Sequence, residues 1–549
     1  MSSSKKKQLR KEQYMTERQT AAAKEAKKLK RYTLTFWVVI LVIASIFVGA
    51  VAANPVKNMM YKNTKAMQVG DYTLSSVDVN YYYIDAINQF VSQNQTYIQI
   101  MMDTTKPLNE QVYNKETGAT WADTFVDSAK AAIRSTYAVY DAAIKAGHKL
   151  TEAEQKSIET NISNASLYAM YYGYNNLTAY LRAMYGNGAT EESYRNYLEV
   201  SAVANSYMAA HSDSLEYTAE DLKAFQETNP HRYNSYTFAT YYVNASSYRT
   251  GGTKDDKGNT TYTDEEKAAA VKAAEAAANL LAGGDYADLA AFNAAIKGLP
   301  VNAENPSAAA TENKAVLFDD LSTLFQDWII GKVESEDKDA EPTYVLRKEG
   351  DMTVIENASG TGDSKVINGY YVVRFGSMTM NDFAMKDVRH VLIKFEGGKT
   401  NSSTGVTTYT DEEKETAKEK AEKLLADWVA AGDLSEESFA ELAKKNSKDG
   451  NAAQGGLYEK VYPGQMVEPF ENWLYDAERK VGDYGIVETQ YGYHIMFFVG
   501  DNEQTFRDFM ITNVKRNEDM ETWQNGLMEK LTVEVLTLKH LELDMILSH

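Results

Sequence analysis

The spacing of apolar residues changes character several times along the chain, and each change marks an element. Thr33–Ala53, TLTFWVVILVIASIFVGAVAA, is an unbroken run without a charged residue. At about 1.5 Å per residue a helix of that length spans roughly 30 Å, the thickness of a bilayer's hydrocarbon core. It is therefore read as one transmembrane helix. From Ser75 or Ser76, either of which suits a helix N-cap after the turn at Gly70-Asp71, apolar positions recur at helical spacing as far as about Pro230. Trp121, Phe125, Ile133, Tyr137 and Tyr140 lie near one helical face. Thr151-x-x-Glu154 and Thr218-x-x-Asp221 have the form of capping boxes, and Asn229-Pro230 ends the region because a residue before proline avoids the helical conformation. The stretch from Phe506 to about Leu531 returns to helical spacing. A lone helix is marginal in water, so this one is expected to pack back onto the first helical region and make it discontinuous in sequence.

Between the two helical regions the pattern is strand, Ala/Lys/Glu-rich helix, short helices, strand, and it occurs twice. The octapeptide TTYTDEEK ends at Lys267 and again at Lys414, a duplication in which Thr263/Glu266 and Thr410/Glu413 form matching capping boxes. The closing strands are NGYYVVRFG (Asn368–Gly376) and YGYHIMFFVG (Tyr491–Gly500). Copy two carries His390 and His494 where copy one has, by alignment, Thr240 and Tyr371. An acidic, Gly/Ser-containing insertion near Glu334 to Asp363 of copy one reads as a loop.

Composition sharpens this picture. A chain of 549 residues is too long for one core. The absence of cysteine excludes disulfides, thiolate metal sites, a cysteine nucleophile and a lipid-modified N-terminal cysteine. The first 31 residues hold eleven Lys/Arg and three Glu, a net +8, so the formal −20 of the whole chain leaves −28 for the rest. A basic flank stays cytoplasmic, which places the acidic bulk across the membrane. Ala50-Val51-Ala52 offers the competing reading of a cleaved signal, and the long basic leader favours the anchor. The expected organisation is α+β and multidomain: a basic tail at 1–32, a membrane helix at 33–53, a helical domain at 54–230 completed by 503–549, and two α+β units at 231–380 and 381–502. The tyrosines of the helical domain, YYY at Tyr81 to Tyr83 among them, are read mainly as core, with a subset lining a groove. Scattered histidines and the lack of an Asp-rich loop point to no metal and no cofactor, and nothing points to nucleic acid.

Copy two contains, in order, VRHVLIKF, FAELAKKNSKDG, the Gly-Gly of AAQGGLYEKV, PGQMVEPFE and VETQYGYHIMFF. Over Val388 to Val499 this resembles a parvulin-type peptidyl-prolyl cis/trans isomerase. The whole chain is similar, more loosely, to extracytoplasmic foldases of the PrsA and SurA type, with a protein anchor in place of a lipid. The resemblance implies isomerisation of X-Pro bonds in unfolded exported polypeptides. It implies His390 and His494 as paired histidines, Asp449 as the charged group near the twisting amide and Thr489 as the hydroxyl beside the second histidine. Met466 and Phe470 match the proline pocket, Gln465 precedes it, and Tyr458 falls where the family has an apolar wall. After Gly455-Gly456 the sequence departs from the family pattern, so a holdase chaperone with weak or silent parvulin modules is the alternative reading. Copy one, lacking both histidines, is expected to be catalytically silent.

Overall fold

The computed structural model describes residues 55–334, 342–402 and 405–547. The basic tail and the apolar run Thr33–Ala53, read above as the membrane helix, lie outside the described residues. Among the described residues no helix is long and apolar enough to cross a membrane. The described chain forms two compact units, one made of residues 55–216, 395–414 and 515–547, the other of 217–394 and 415–514.

The first unit is built on five helices whose starts are written in the sequence. They are α1 (Ser76–Gln93), α2 (Trp121–Lys145), α3 (Glu152–Tyr171), α4 (Leu177–Tyr185) and α5 (Glu191–Asp213). Each begins after a Ser, Thr or Asn whose side chain accepts a first-turn N–H: Ser75, Thr120, Thr151, Asn176 and Thr190. Tyr81, Tyr82, Tyr83 and Tyr180 are buried, whereas Tyr171 is 81% exposed. A three-stranded sheet accompanies these helices. Strands β1 (Lys65–Val69) and β2 (Tyr72–Ser75) flank the Gly70-Asp71 turn, and the C-terminal strand Val533–Val535 pairs antiparallel with β1. Helical periodicity gave no sign of these strands, because three to five residues are too few to establish an alternation. The Ser76 hydroxyl donates to the Lys539 carbonyl at 2.9 Å, and the Asn80 side chain bonds the backbone of His540 and Glu542. Leu531, Leu541, Met545 and Leu547 enter the same core as Tyr83 and Phe125.

The second unit opens with α6 (Ala219–Thr228), so the division falls before this helix and not at Pro230. Copy one follows as β3 (Ser235–Asn244), α7 (Asp264–Ala282), α8 (Leu289–Lys297), β4 (Thr311–Leu317), β5 (Met352–Ser359) and β6 (Val366–Thr379). Copy two comprises β7 (Ala384–Lys394), α9 (Asp411–Ala431), α10 (Glu436–Asn446), β8 (Leu457–Val461), α11 (Glu468–Leu474), β9 (Tyr484–Thr489) and β10 (Gly492–Thr505). The helix Phe506–Glu529 closes the chain's helical content. The two sheets have the same order, β4-β3-β6-β5 and β8-β7-β10-β9, with all neighbours antiparallel. Strand β5 corrects the reading of Glu334 to Asp363 as a loop. Its eight residues supply the edge strand that β9 supplies in copy two, and the acidic flanks on either side concealed it.

Duplication extends to irregularities. Ala315 in β4 and Lys460 in β8 both have positive φ, 48° and 56°, unusual for residues with a Cβ. In each case the N–H is taken up by a side chain of the neighbouring strand, Ala315 by Thr237 Oγ1 at 3.1 Å and Lys460 by Asp387 Oδ1 at 2.7 Å. The repeated octapeptide has a defined task. Glu266 accepts the Thr263 N–H at 2.8 Å with one oxygen and the Gly252 N–H at 2.9 Å with the other, and Glu413 does the same with Thr410 and Gly398 at the same distances. One carboxylate thus caps a helix and ties the preceding hairpin to it.

Candidate active site

Alternation along β7, β9 and β10 puts Val388, His390, Leu392, Val487, Thr489, His494, Met496 and Phe498 on one face of the sheet of copy two. His390 pairs with Met496 and Leu392 with His494, so the two histidines are diagonal neighbours on adjacent central strands. Helix α11 covers this face: Phe470 and Leu474 join Val388, Val461, Val487, Met496 and Phe498 in one apolar cluster, with Tyr458 and Met466 packed against it. The opposite face is covered by α9 and α10, where Trp428 and Phe439 meet Phe497.

The imidazoles of His390 and His494 are buried, 2% and 5% exposed, and their Nδ1 atoms lie 2.9 Å apart. Their rings are nearly parallel, 15° between planes, and Phe470 stands almost perpendicular to both, with ring centres at 5.5 and 5.6 Å. Thr489 Oγ1 is 2.9 Å from His494 Nε2 and accepts the Tyr491 N–H at 3.1 Å. At the other end His390 Nε2 faces Asp449 Oδ2 at 3.5 Å, a separation too long for a well-formed hydrogen bond. The Tyr458 hydroxyl donates to the same Asp449 oxygen at 2.9 Å. Five groups therefore form a row: Thr489, His494, His390, Asp449, Tyr458.

The Thr489 hydroxyl has two acceptors within reach, His494 Nε2 at 2.9 Å and the Gly492 carbonyl at 3.3 Å, and one assignment of protons runs along the whole row. With His390 Nε2–H directed at the carboxylate, its Nδ1 is an acceptor and takes the Nδ1–H of His494. His494 Nε2 then accepts the Thr489 O–H. Electrostatics favours this arrangement at the inner end, since burial, followed by the neighbouring His390, pulls His494 down to about 3. The His390 edge, with smaller help from the Asn451 N–H and the Tyr458 hydroxyl, holds the Asp449 carboxyl well below the usual carboxylate range. Burial and then the Asp449 charge push Tyr458 up to about 12. The result is a fixed negative charge at the outer edge of a hydrogen-bonded imidazole pair whose inner member, His494, resists protonation, under an aromatic ring.

Of the eight residues singled out from sequence, the structure brings together His390, His494, Thr489, Asp449, Tyr458 and Phe470. Met466 is partly buried and packs against the Phe470 cluster. Gln465 stands apart: it is exposed, and its side chain accepts the Tyr462 N–H at 3.2 Å within its own turn. Tyr458, expected as an apolar wall, acts through its hydroxyl as well as its ring. Sequence reasoning passed over the groups that hold this row in place. Ser447 Oγ accepts the N–H groups of Leu392 and Asp449, and the Asn451 side chain donates to the Leu457 carbonyl. Arg389 grips the carbonyls of Gln454 and Gly455 while pairing with Glu436 at 2.8 Å. Gly456, at φ +68°, brings its carbonyl to the His390 N–H at 2.9 Å, and a Cβ there would lie 2.1 Å from the His390 carbonyl oxygen. The adjacent arginine in VRHVLIKF and the Gly-Gly pair were the available signals.

Among the described residues no group of three or more His, Asp or Glu is placed to hold a metal ion. In copy one the register gives Thr240 opposite Val373 and Tyr371 opposite Tyr242, the positions equivalent to His390 and His494. Tyr371 there packs against Tyr242 and Phe325 at 4.8 and 6.0 Å between ring centres, so aromatic contacts stand where copy two has its imidazole pair.

Residues 370–503 match the family described as the PPIC-type PPIASE domain. Foldase protein PrsA 1 of Listeria monocytogenes is 41% identical over 69 residues, 12% of this chain and 24% of that one. Chaperone SurA of Pseudomonas syringae is 30% identical over 157 residues, covering 27% of this chain and 32% of the relative. The crystal structure of the peptidylprolyl isomerase PrsA from Bacillus cereus aligns with 24% identity over 27% of this chain and 50% of its own, at a TM-score of 0.17. The chain thus spans between a quarter and a third of the length of the curated relatives it matches. It carries a parvulin-type peptidyl-prolyl cis/trans isomerase domain, and the sequence likeness is to PrsA and SurA foldases.

Proposed function

We propose that this protein is a membrane-anchored extracytoplasmic foldase in which copy two isomerises X-Pro bonds of exported polypeptides while the helical unit and copy one hold the unfolded chain. The buried His390–His494 pair beneath Phe470, with Asp449 at its outer edge, is the observation that carries the reading. Amide resonance sets the barrier to rotating an X-Pro bond at about 20 kcal/mol. No covalent bond breaks on the way, so catalysis needs an apolar grip on the prolyl ring and polar groups fixed where the twisted amide differs from the planar one. Met466 and Phe470 supply the grip. Asp449 supplies a charge that the twisting carbonyl feels, and the imidazole row, locked by Thr489, keeps that charge and the Phe470 ring in register. The preference of the anchor reading over a cleaved signal rests on the length of Thr33–Ala53 and the net +8 preceding it.

One observation favours the alternative of a holdase with weak isomerase activity: the Tyr458 hydroxyl already occupies Asp449. NMR exchange spectroscopy on a short X-Pro peptide separates the two readings. The full-length protein should accelerate cis/trans exchange, and His390→Ala and Asp449→Ala should each lower that acceleration at least tenfold with unchanged circular dichroism. A wild-type protein without acceleration, or variants as active as it, would leave only the holdase.

A further inference from the structure

The helical unit holds a carboxyl group that the isomerase chemistry does not use. Asp85 of α1 opens into a cavity of about 430 Å³ lined by residues of α1, α2 and α5. That volume lies in the range of small-molecule sites, roughly 300–1,000 Å³. The Tyr197 hydroxyl donates to Asp85, and no lining residue carries a positive charge. An ionised carboxylate offers about four lone-pair sites, so one neutral donor leaves it largely unanswered in a setting where burial raises the cost of its charge. The same burial pushes its carboxyl up to about 6. Beside it the buried Tyr82 hydroxyl lies among the Thr136 and Ser201 hydroxyls without a well-formed hydrogen bond. Phe90 supplies an apolar wall, and the rings of Tyr82 and Tyr197 meet edge to face at 5.2 Å on another side.

We propose that this cavity receives a primary ammonium group, the side chain of a lysine in an unfolded polypeptide. An ammonium has three donors and no acceptor. It is answered by the Asp85 carboxylate together with the hydroxyl oxygens of Tyr82 and Ser201, while its aliphatic stem lies along Phe90 and its charge faces aromatic rings. The formal −28 of the chain beyond its first 31 residues draws basic segments toward the protein before this contact forms. Every lining residue belongs to the helical unit, so the inference stands independently of the isomerase reading.

Saturation-transfer NMR with the full-length protein tests it, using Nα-acetyl-lysine methylamide as probe beside its norleucine and Nε-acetyl-lysine counterparts. The lysine probe should bind, and the two uncharged analogues should bind at least tenfold more weakly to the same wild-type sample. Asp85→Asn, whose amide oxygen still accepts the Tyr197 hydroxyl, should weaken lysine binding at least tenfold with unchanged circular dichroism. Equal binding of norleucine, undiminished binding by a folded Asp85→Asn protein, or no binding of the lysine probe to wild type would each overturn the proposal.

Discussion

Acidification offers the most direct probe of the imidazole row. His494 is held near 3 by burial and by His390, against an ordinary value of 6.5, so between those limits the unfolded chain binds a proton that the folded site refuses. Stability owed to this residue is therefore complete above about pH 6.5 and falls as the pH drops toward 3. From pH 6.5 to 4.5 the loss integrates to about 2.3 kcal/mol, because the unfolded histidine is only half protonated at the upper limit, roughly a fiftyfold increase in the opening equilibrium. Asp449 has the opposite placement on the scale. Its depressed carboxyl contributes stability above its ordinary value of 3.8 and loses it only below, so it is silent in this window. Native-state hydrogen exchange of the full-length protein, followed in peptides covering β7 and β10 and corrected for intrinsic exchange, reads the opening directly. A His494→Asn protein, whose amide can still meet His390 from the position of Nδ1, serves as reference, because Asp85 and His231 titrate equally in both. Wild type should lose protection at acid pH much more steeply than the variant. Identical slopes, or an imidazole signal of His494 titrating near 6.5, would refute the argument that His494 is held neutral.

Three further outcomes follow from the geometry. Tyr458→Phe removes a donor that helps hold the Asp449 carboxyl down, so the acid limb of the pH–rate profile should move to higher pH while the circular dichroism stays the same. Gly456→Ala forces a left-handed residue against the His390 carbonyl, and urea unfolding followed through copy two should show a loss of about 2–4 kcal/mol. Glu413→Ala unties hairpin from helix, so the Gly398 and Thr410 amides should exchange faster with hydrogen exchange elsewhere in copy two unchanged, whereas Glu413→Gln should retain part of the protection.

What could be read from sequence divides along physical lines. Capped helices were legible because a Thr or Ser three residues before an acidic one announces its own hydrogen bonds, as at Thr151, Thr218 and Thr263. His390 and His494 were legible because the second copy carries histidines where the first has Thr240 and Tyr371, and because the motifs around them resemble those of the parvulin family. The short strands beside α1 were not, since three to five residues are too few to show an alternation and the third strand of their sheet, Val533–Val535, lies more than 450 positions from β1 in the chain. Strand β5 was obscured by acidic flanks, and the hydroxyl of Tyr458 by the aromatic ring that made it look like a wall. Gln465 illustrates the converse: adjacency to Met466 in sequence did not bring it to the row, because the turn at Tyr462 faces it outward.

The strand Val533–Val535, hydrogen-bonded to β1, carries a consequence for biogenesis. The helical unit cannot complete its sheet until Val533–Val535 has been delivered, while the four-stranded sheets of copies one and two have every strand they need earlier. A chain emerging from its N-terminal end therefore matures from the middle outward, and a premature stop that removes the final twenty residues would leave the isomerase domain formed and the helical unit an open seam, exposed to proteolysis.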